Sequence, residues 1–152
     1  MTTTLTTITS QEIVLKKVEP HLQNIVKFFD SPTVMDVTIA ELHDAVDLAI
    51  AKILLDTGRS MQNDDINYIV AEISLSLRSK YQTLRVNEIV VAFQRGVRKT
   101  YGDFFGINAA ELERFIFCYV EDVNRRNAMK SYLQAKESAA EKPDPTEEEK
   151  QD

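Results

Sequence analysis

The chain of 152 residues is long enough for one hydrophobic core and short for two domains, and its 43% hydrophobic and 28% charged content is that of a globular protein. Four glycines, four prolines and no Trp argue against a turn-rich β design, and the single cysteine, Cys118, excludes an intrachain disulfide framework. The formal charge of -6 is uneven, because residues 141–152 hold six acids against two lysines.

Residues 1–9, rich in Ser and Thr and aperiodic, read as a flexible N-terminus without the basic and apolar regions of a signal peptide. No apolar run approaches the roughly 18 residues a membrane helix needs, so the expectation is a cytoplasmic protein with no membrane contact. Thr9 and Glu12 have capping-box spacing, which starts a helix near Ser10. Pro20 either kinks that helix or opens a second one, whose apolar stripe is Leu22, Ile25, Val26 and Phe29. The turn-prone run "DSPTVMDV" follows.

Thr38 and Glu41 form a second capping box. The stripe Ile39, Leu42, Val46, Ala49, Ile50 and Ile53 keeps helical rhythm until Gly58 can cap the end. Asp64 and Asp65 suit the positive end of the next helix, which presents Ile66, Ile69, Val70, Ile73 and Leu77 to the core. After "YQTLR" comes "VNEIVVAFQRGVRKTYG", with Val86, Ile89, Val90, Phe93 and Val97 as inner face and Gly102 as the left-handed residue past the helix end. The β-branched run 89–91 leaves a strand open, although the helical stripe continues beyond it.

Gly106 reads as a backbone requirement of an aromatic turn, and Phe104 and Phe105 as residues that fasten that turn to the core. Gly96 sits mid-helix, where alanine would gain up to about 1 kcal/mol unless a neighbouring helix needs the bare backbone. Asn108 and Glu111 open the last helix, which packs Leu112, Phe115, Ile116, Tyr119, Val120 and Val123 inward and runs to about Ala139. The acidic, Pro-containing residues 141–152 have no aromatic or aliphatic run to bury and read as a disordered tail. The expectation is an all-α fold: a small bundle of five or six helices in one domain, residues 10–140.

Catalytic and cofactor signals are generic. His43 with Asp44 and Asp47, and Glu121 with Asp122, have the spacing of solvated helix faces; the two histidines lack the partners of a metal site, and no phosphate-binding glycine loop exists. Cys118 reads as a buried thiol. The reading is therefore non-enzymatic, with no metal and no cofactor.

The one functional signal is basic. Between Arg78 and Lys99, six Arg or Lys residues meet only Glu88. On a helix, Asn87, Val91, Gln94, Arg95 and Arg98 lie opposite the apolar stripe, with Lys99 beside them and Arg85 just before the helix start. A helix that follows another after a short turn, and that mixes Arg and Lys with Asn and Gln, suits DNA or RNA: the cations contact phosphates and the amides address base edges. The alternative partner is a protein, recruited by the same helices in an adaptor whose acidic tail repels or mimics nucleic acid. One continuous positive stripe would favour the first, and dispersed charges beside an exposed apolar patch the second.

The run from Leu84 to Val120 resembles the C-terminal part of small helical proteins encoded on bacterial prophages and other mobile elements, some among replication genes. The shared features are Asn87-Glu88-Ile89, Ala92-Phe93, Gly96, Tyr101-Gly102, Phe105-Gly106-Ile107 and the aromatic helix ending at Tyr119. The resemblance covers about a quarter of the chain. It departs at Arg98-Lys99-Thr100, where those proteins have Gly-x-Tyr-Gly, and in the absence of Trp. It implies a mobile-element setting and no defined activity.

Overall fold

The computed structural model describes residues 23–141, with side chains from 25 to 139. The Thr9–Glu12 box, the break at Pro20 and the tail beyond 141 lie outside the described residues. The chain is all-α. A short helix α1 (Gln23–Val26) and a 3-10 turn (Lys27–Phe29) precede α2 (Ile39–Thr57), α3 (Asn63–Lys80), α4 (Val86–Val97), α5 (Ala109–Glu121) and α6 (Val123–Glu141), and no strand occurs among the described residues.

Local chemistry sets most of these ends. At Thr38 both bonds of the capping box form, Glu41 N–H to Thr38 Oγ1 and Thr38 N–H to Glu41 Oε1, each 3.1 Å. Gly58 ends α2 at φ 67, with Gly58 N–H donating to Leu55 and Arg59 N–H to Leu54. Asn108 caps α5 by accepting from Glu111 N–H at 2.9 Å.

Two helix ends differ from the sequence reading. Helix α4 stops at Val97, and the left-handed residue beyond it is Lys99 at φ 65, not Gly102. Lys99 N–H donates to Gly96 and Thr100 N–H to Arg95, the same closing pattern that Gly58 makes for α2. Gly102, at φ 94, instead closes the following turn by donating to Lys99. The last helix is broken in two at Asp122, whose extended backbone ends α5 and whose Oδ1 accepts from Asn124 N–H at 2.8 Å to start α6. Val123, at that break, is exposed and not in the core.

An isolated bridge between Thr33 and Arg85 ties the starts of α2 and α4 together, through Val34 N–H to Leu84 and Val86 N–H to Pro32. Gln94 reaches Asp56 near the other ends of the same helices, at 3.4 Å, so α2 and α4 run parallel. Helix α3 returns antiparallel to α2, and α5 antiparallel to α4. Leu42, Ile50, Ile53, Ile73, Leu77, Phe93 and Phe115 fill the space among these four helices. Each such side chain contributes about 1.5–3 kcal/mol by leaving water. A second, smaller cluster joins Val26 and Phe29 to Ala128, Tyr132 and Ala135 of α6, with the Phe29 and Tyr132 rings edge to face at 5.5 Å.

The buried face of α4 is rotated from the one its valines suggest. Glu88, Ile89, Val91, Ala92, Phe93 and Gly96 are buried, while Val86, Val90 and Val97 are only half-buried. Gly96 lets α5 come close: a Cβ there would lie 2.1 Å from Phe115 Cγ, well inside van der Waals contact. Gly106 has no comparable constraint, since its φ is not left-handed and a Cβ there would meet only Asn108 Nδ2 at 3.9 Å. Of the two turn aromatics, Phe104 packs edge-on against Phe115 at 5.8 Å, whereas Phe105 is 94% exposed.

Candidate functional site

The six residues of the predicted basic face do not form one stripe. Arg85 precedes α4, is half-buried, and points one guanidinium nitrogen at Ser31 O at 3.4 Å. Asn87 is exposed, and its backbone N–H donates to Ser31 Oγ. Gln94 faces Asp56. Arg95 is half-buried over the Tyr119 ring, 5.5 Å from its centre, and Val91 beside it is buried. Arg98 and Lys99 are exposed but lie past the end of α4, with Lys99 Nζ 3.7 Å from Asp103.

The rest of the basic window is occupied too. Arg78 clamps the segment before α2 by donating to Val34 O and Val37 O, and Lys80 pairs with Glu113 at 2.7 Å. On α4 itself the physical reason is rotation. A helix that buries residues 88, 92 and 96 turns 91 and 95 partly inward with them.

The window's single acid carries the densest polar chemistry of the described residues. Glu88 is fully buried. Its Oε1 accepts from Arg85 N–H at 3.0 Å and from Arg125 Nη2 at 3.0 Å, while Oε2 accepts from Arg125 Nε at 2.9 Å and from Tyr119 Oη at 2.5 Å. One carboxylate thus caps α4 and holds α5 and α6 to it. Burial works against the Arg125 charge, but the bonds and charge of Glu88 outweigh it and hold the guanidinium protonated. Burial first, and then the Glu88 charge, push the Tyr119 hydroxyl far above its ordinary value, so it serves Glu88 as a neutral donor. Arg125 also lies over the Tyr119 and Phe29 rings, each at 5.5 Å. Every member is satisfied from within, and the cluster holds elements together without opening to a substrate. The sequence signal for it was a charged residue on the 88, 92, 96 row of an otherwise apolar face.

The remaining candidate is a groove that sequence reasoning missed. Along the α3–α5 seam the two backbones approach each other over a shorter stretch than at the other neighbouring helix pairs of the four-helix arrangement. Three shallow hollows follow it, one by Tyr68, Ile69 and Ile107, one by Leu75, Ser76 and Ala110, and one by Tyr81, Phe117 and Val120. Ser76 Oγ and Lys80 Nζ both donate to Glu113 Oε1, at 2.8 and 2.7 Å, and pin the helices together between the hollows. Those two bonds, Lys80 first, lower the Glu113 carboxyl below its usual range, and the same contact raises Lys80. Around the groove Tyr68 is 63%, Leu75 67% and Phe117 54% exposed. Leu48 and Leu55 are also exposed and share a face of α2, but Tyr68, Leu75 and Phe117 lie along the walls of hollows between two helices.

Other sequence candidates stay generic. Asp44 and Asp47 are exposed, Cys118 is a half-buried free thiol, and no group of three or more potential metal ligands gathers among the described residues. No helix among them is long and apolar enough to cross a membrane. Comparison of the chain with protein-family models, curated proteins and solved structures finds no significant match in any of the three.

Proposed function

We propose that the protein is a non-enzymatic helical adaptor that binds a protein partner along the α3–α5 groove. The observation that carries this reading is the exposure of Tyr68, Leu75 and Phe117 on the walls of one groove, while the cations of the basic window are dispersed and largely engaged. Dispersed charge beside exposed apolar surface is the pattern of a protein-binding face. A photo-reactive side chain at position 117 cross-links a protein partner in cells, one at position 48 on α2 does not, and Leu75→Asp abolishes the cross-link while the helix melt is preserved. Equal cross-linking at 48 and 117, or indifference to Leu75→Asp, overturns the reading.

Nucleic-acid binding in a mobile element's replication is the second reading. Exposed Arg98 and Lys99, in the same loop as exposed Phe105, favour it, since cations and aromatic rings together hold single strands. Titration with single- and double-stranded DNA and RNA across a salt series separates the two. Affinity whose salt dependence drops on changing both Arg98 and Lys99 to Gln supports nucleic acid.

A further inference from the structure

We infer that the groove takes an amphipathic helix of about three turns with basic flanks, an inference that rests on the adaptor reading above. The occupant supplies its own backbone hydrogen bonds, because the walls are helices whose N–H and C=O groups are already paired and offer no strand edge. Its length follows from the hollows, which extend along α5 from Ala109 to Glu121, a span of about 18 Å at 1.5 Å per residue. A helix of about twelve residues covers that distance and sets apolar anchors into three hollows from successive turns. Ala109 and Ala110 keep the α5 wall low enough for a helix to approach.

Charge decides the flanks. Lys80 is spent on Glu113, and Arg114 is fastened to Glu111 at 3.0 Å and to the carbonyls of Tyr101 and Asp103. Asp65, Glu72 and Glu121 remain on the rim, Glu121 with Arg126 at 3.7 Å beside it, so the groove presents apolar hollows, divided by the Lys80–Glu113 pair, inside an acidic border. Lys or Arg flanks complement that border and Asp or Glu flanks oppose it.

The test uses the full chain and three synthetic helical peptides that share one Leu/Ala anchor face and differ only in Lys, Gln or Glu flanks, with binding read by fluorescence anisotropy. The Lys peptide binds about fivefold to tenfold tighter than the Gln peptide, a difference that two or three exposed ion pairs supply, and the Glu peptide binds weakest. Changing Glu72 and Glu121 to Gln together, or adding salt, collapses the order, and Phe117→Asp removes binding of all three with the helix melt as control. Equal affinities, or preference for Glu, overturn the basic partner but leave the adaptor standing. No peptide binding with the cross-link at 117 intact removes the helical occupant, and loss of both removes the adaptor as well. Sedimentation as a dimer that Phe117→Asp dissociates places a second copy in the groove and overturns the inference.

Discussion

At the scale of single residues, the Glu88 carboxylate is stable inside the protein because both oxygens are fully bonded, and removing a donor therefore costs more than the bond itself. Arg125→Ala leaves a buried carboxylate without its cation and destabilises by about 3–5 kcal/mol in denaturant melts. Arg125→Lys recovers little of this, since an ammonium cannot make the two-nitrogen contact or cover the Tyr119 and Phe29 rings. Tyr119 gives a pH signature. Its folded pKa lies above the unfolded value near 10, so the stability it contributes is complete below pH 10 and declines as pH rises beyond it, where only the unfolded chain ionises. Tyr119→Phe lowers stability at neutral pH by about 1.5–3 kcal/mol and flattens the decline above pH 10, as urea melts at pH 7 to 11 report. Lys99 is also informative, because it holds a left-handed backbone that costs a side-chain-bearing residue roughly 1 kcal/mol. Lys99→Gly raises the melting temperature despite losing the exposed contact to Asp103; a fall instead means that this ion pair outweighs the strain.

At the scale of helices, α4 and α5 are joined by a missing side chain. Gly96→Ala places a methyl group where the Phe115 ring lies and destabilises by about 1–3 kcal/mol, although alanine is the better helix former, whereas Gly106→Ala is close to neutral. Paired denaturant melts check the ranking. The sequence pointed the other way, because Gly106 sits among turn signals while the space a mid-helix glycine opens belongs to a partner 19 residues further on. What was legible follows the same divide. The caps at Thr38 and Asn108, the end at Gly58 and the stripes of α2 and α3, apart from exposed Ile39 and half-buried Ile66 in their first turns, depend on neighbours within a few residues and formed as read. The rotation of α4 depends on Arg125, Phe115 and Tyr119, none of them local, and it leaves Asn87, Arg98 and Lys99 exposed but Gln94 and Arg95 half-buried. Of the face read inward, Ile89 and Phe93 are buried; Val86, Val90 and Val97 give way to two small residues and a buried acid. The groove has a related origin: Tyr68, Leu75 and Phe117 fall outside the inner stripes of α3 and α5, but that they gather along one seam depends on how the two helices pack.

At the scale of the whole molecule, two apolar clusters of unequal size share the Glu88–Arg125 contact. Helices α2 to α5 enclose the larger, while α6 rests on α1 and on the end of α5. Local opening takes the path that exposes least apolar surface, so α6 opens as a unit before the four-helix core. Hydrogen exchange finds backbone amides from Ala128 to Ala135 less protected than those of α2 and α4, and Phe29→Ala lowers protection in α6 while leaving α2 unchanged. Equal protection throughout means that the two clusters unfold as one.

The contact between Gly96 and the Phe115 ring also limits how the sequence can drift. The spacing of α4 and α5 is fixed by one absent methyl group and one present ring, so neither position changes freely alone. Alanine becomes acceptable at 96 when a smaller side chain stands at 115, but shrinking the ring also removes the support beneath Phe104 and, through it, the face on which Arg59 lies. A substitution in the middle of one helix is thus felt first on a second helix and then at a loop on the surface.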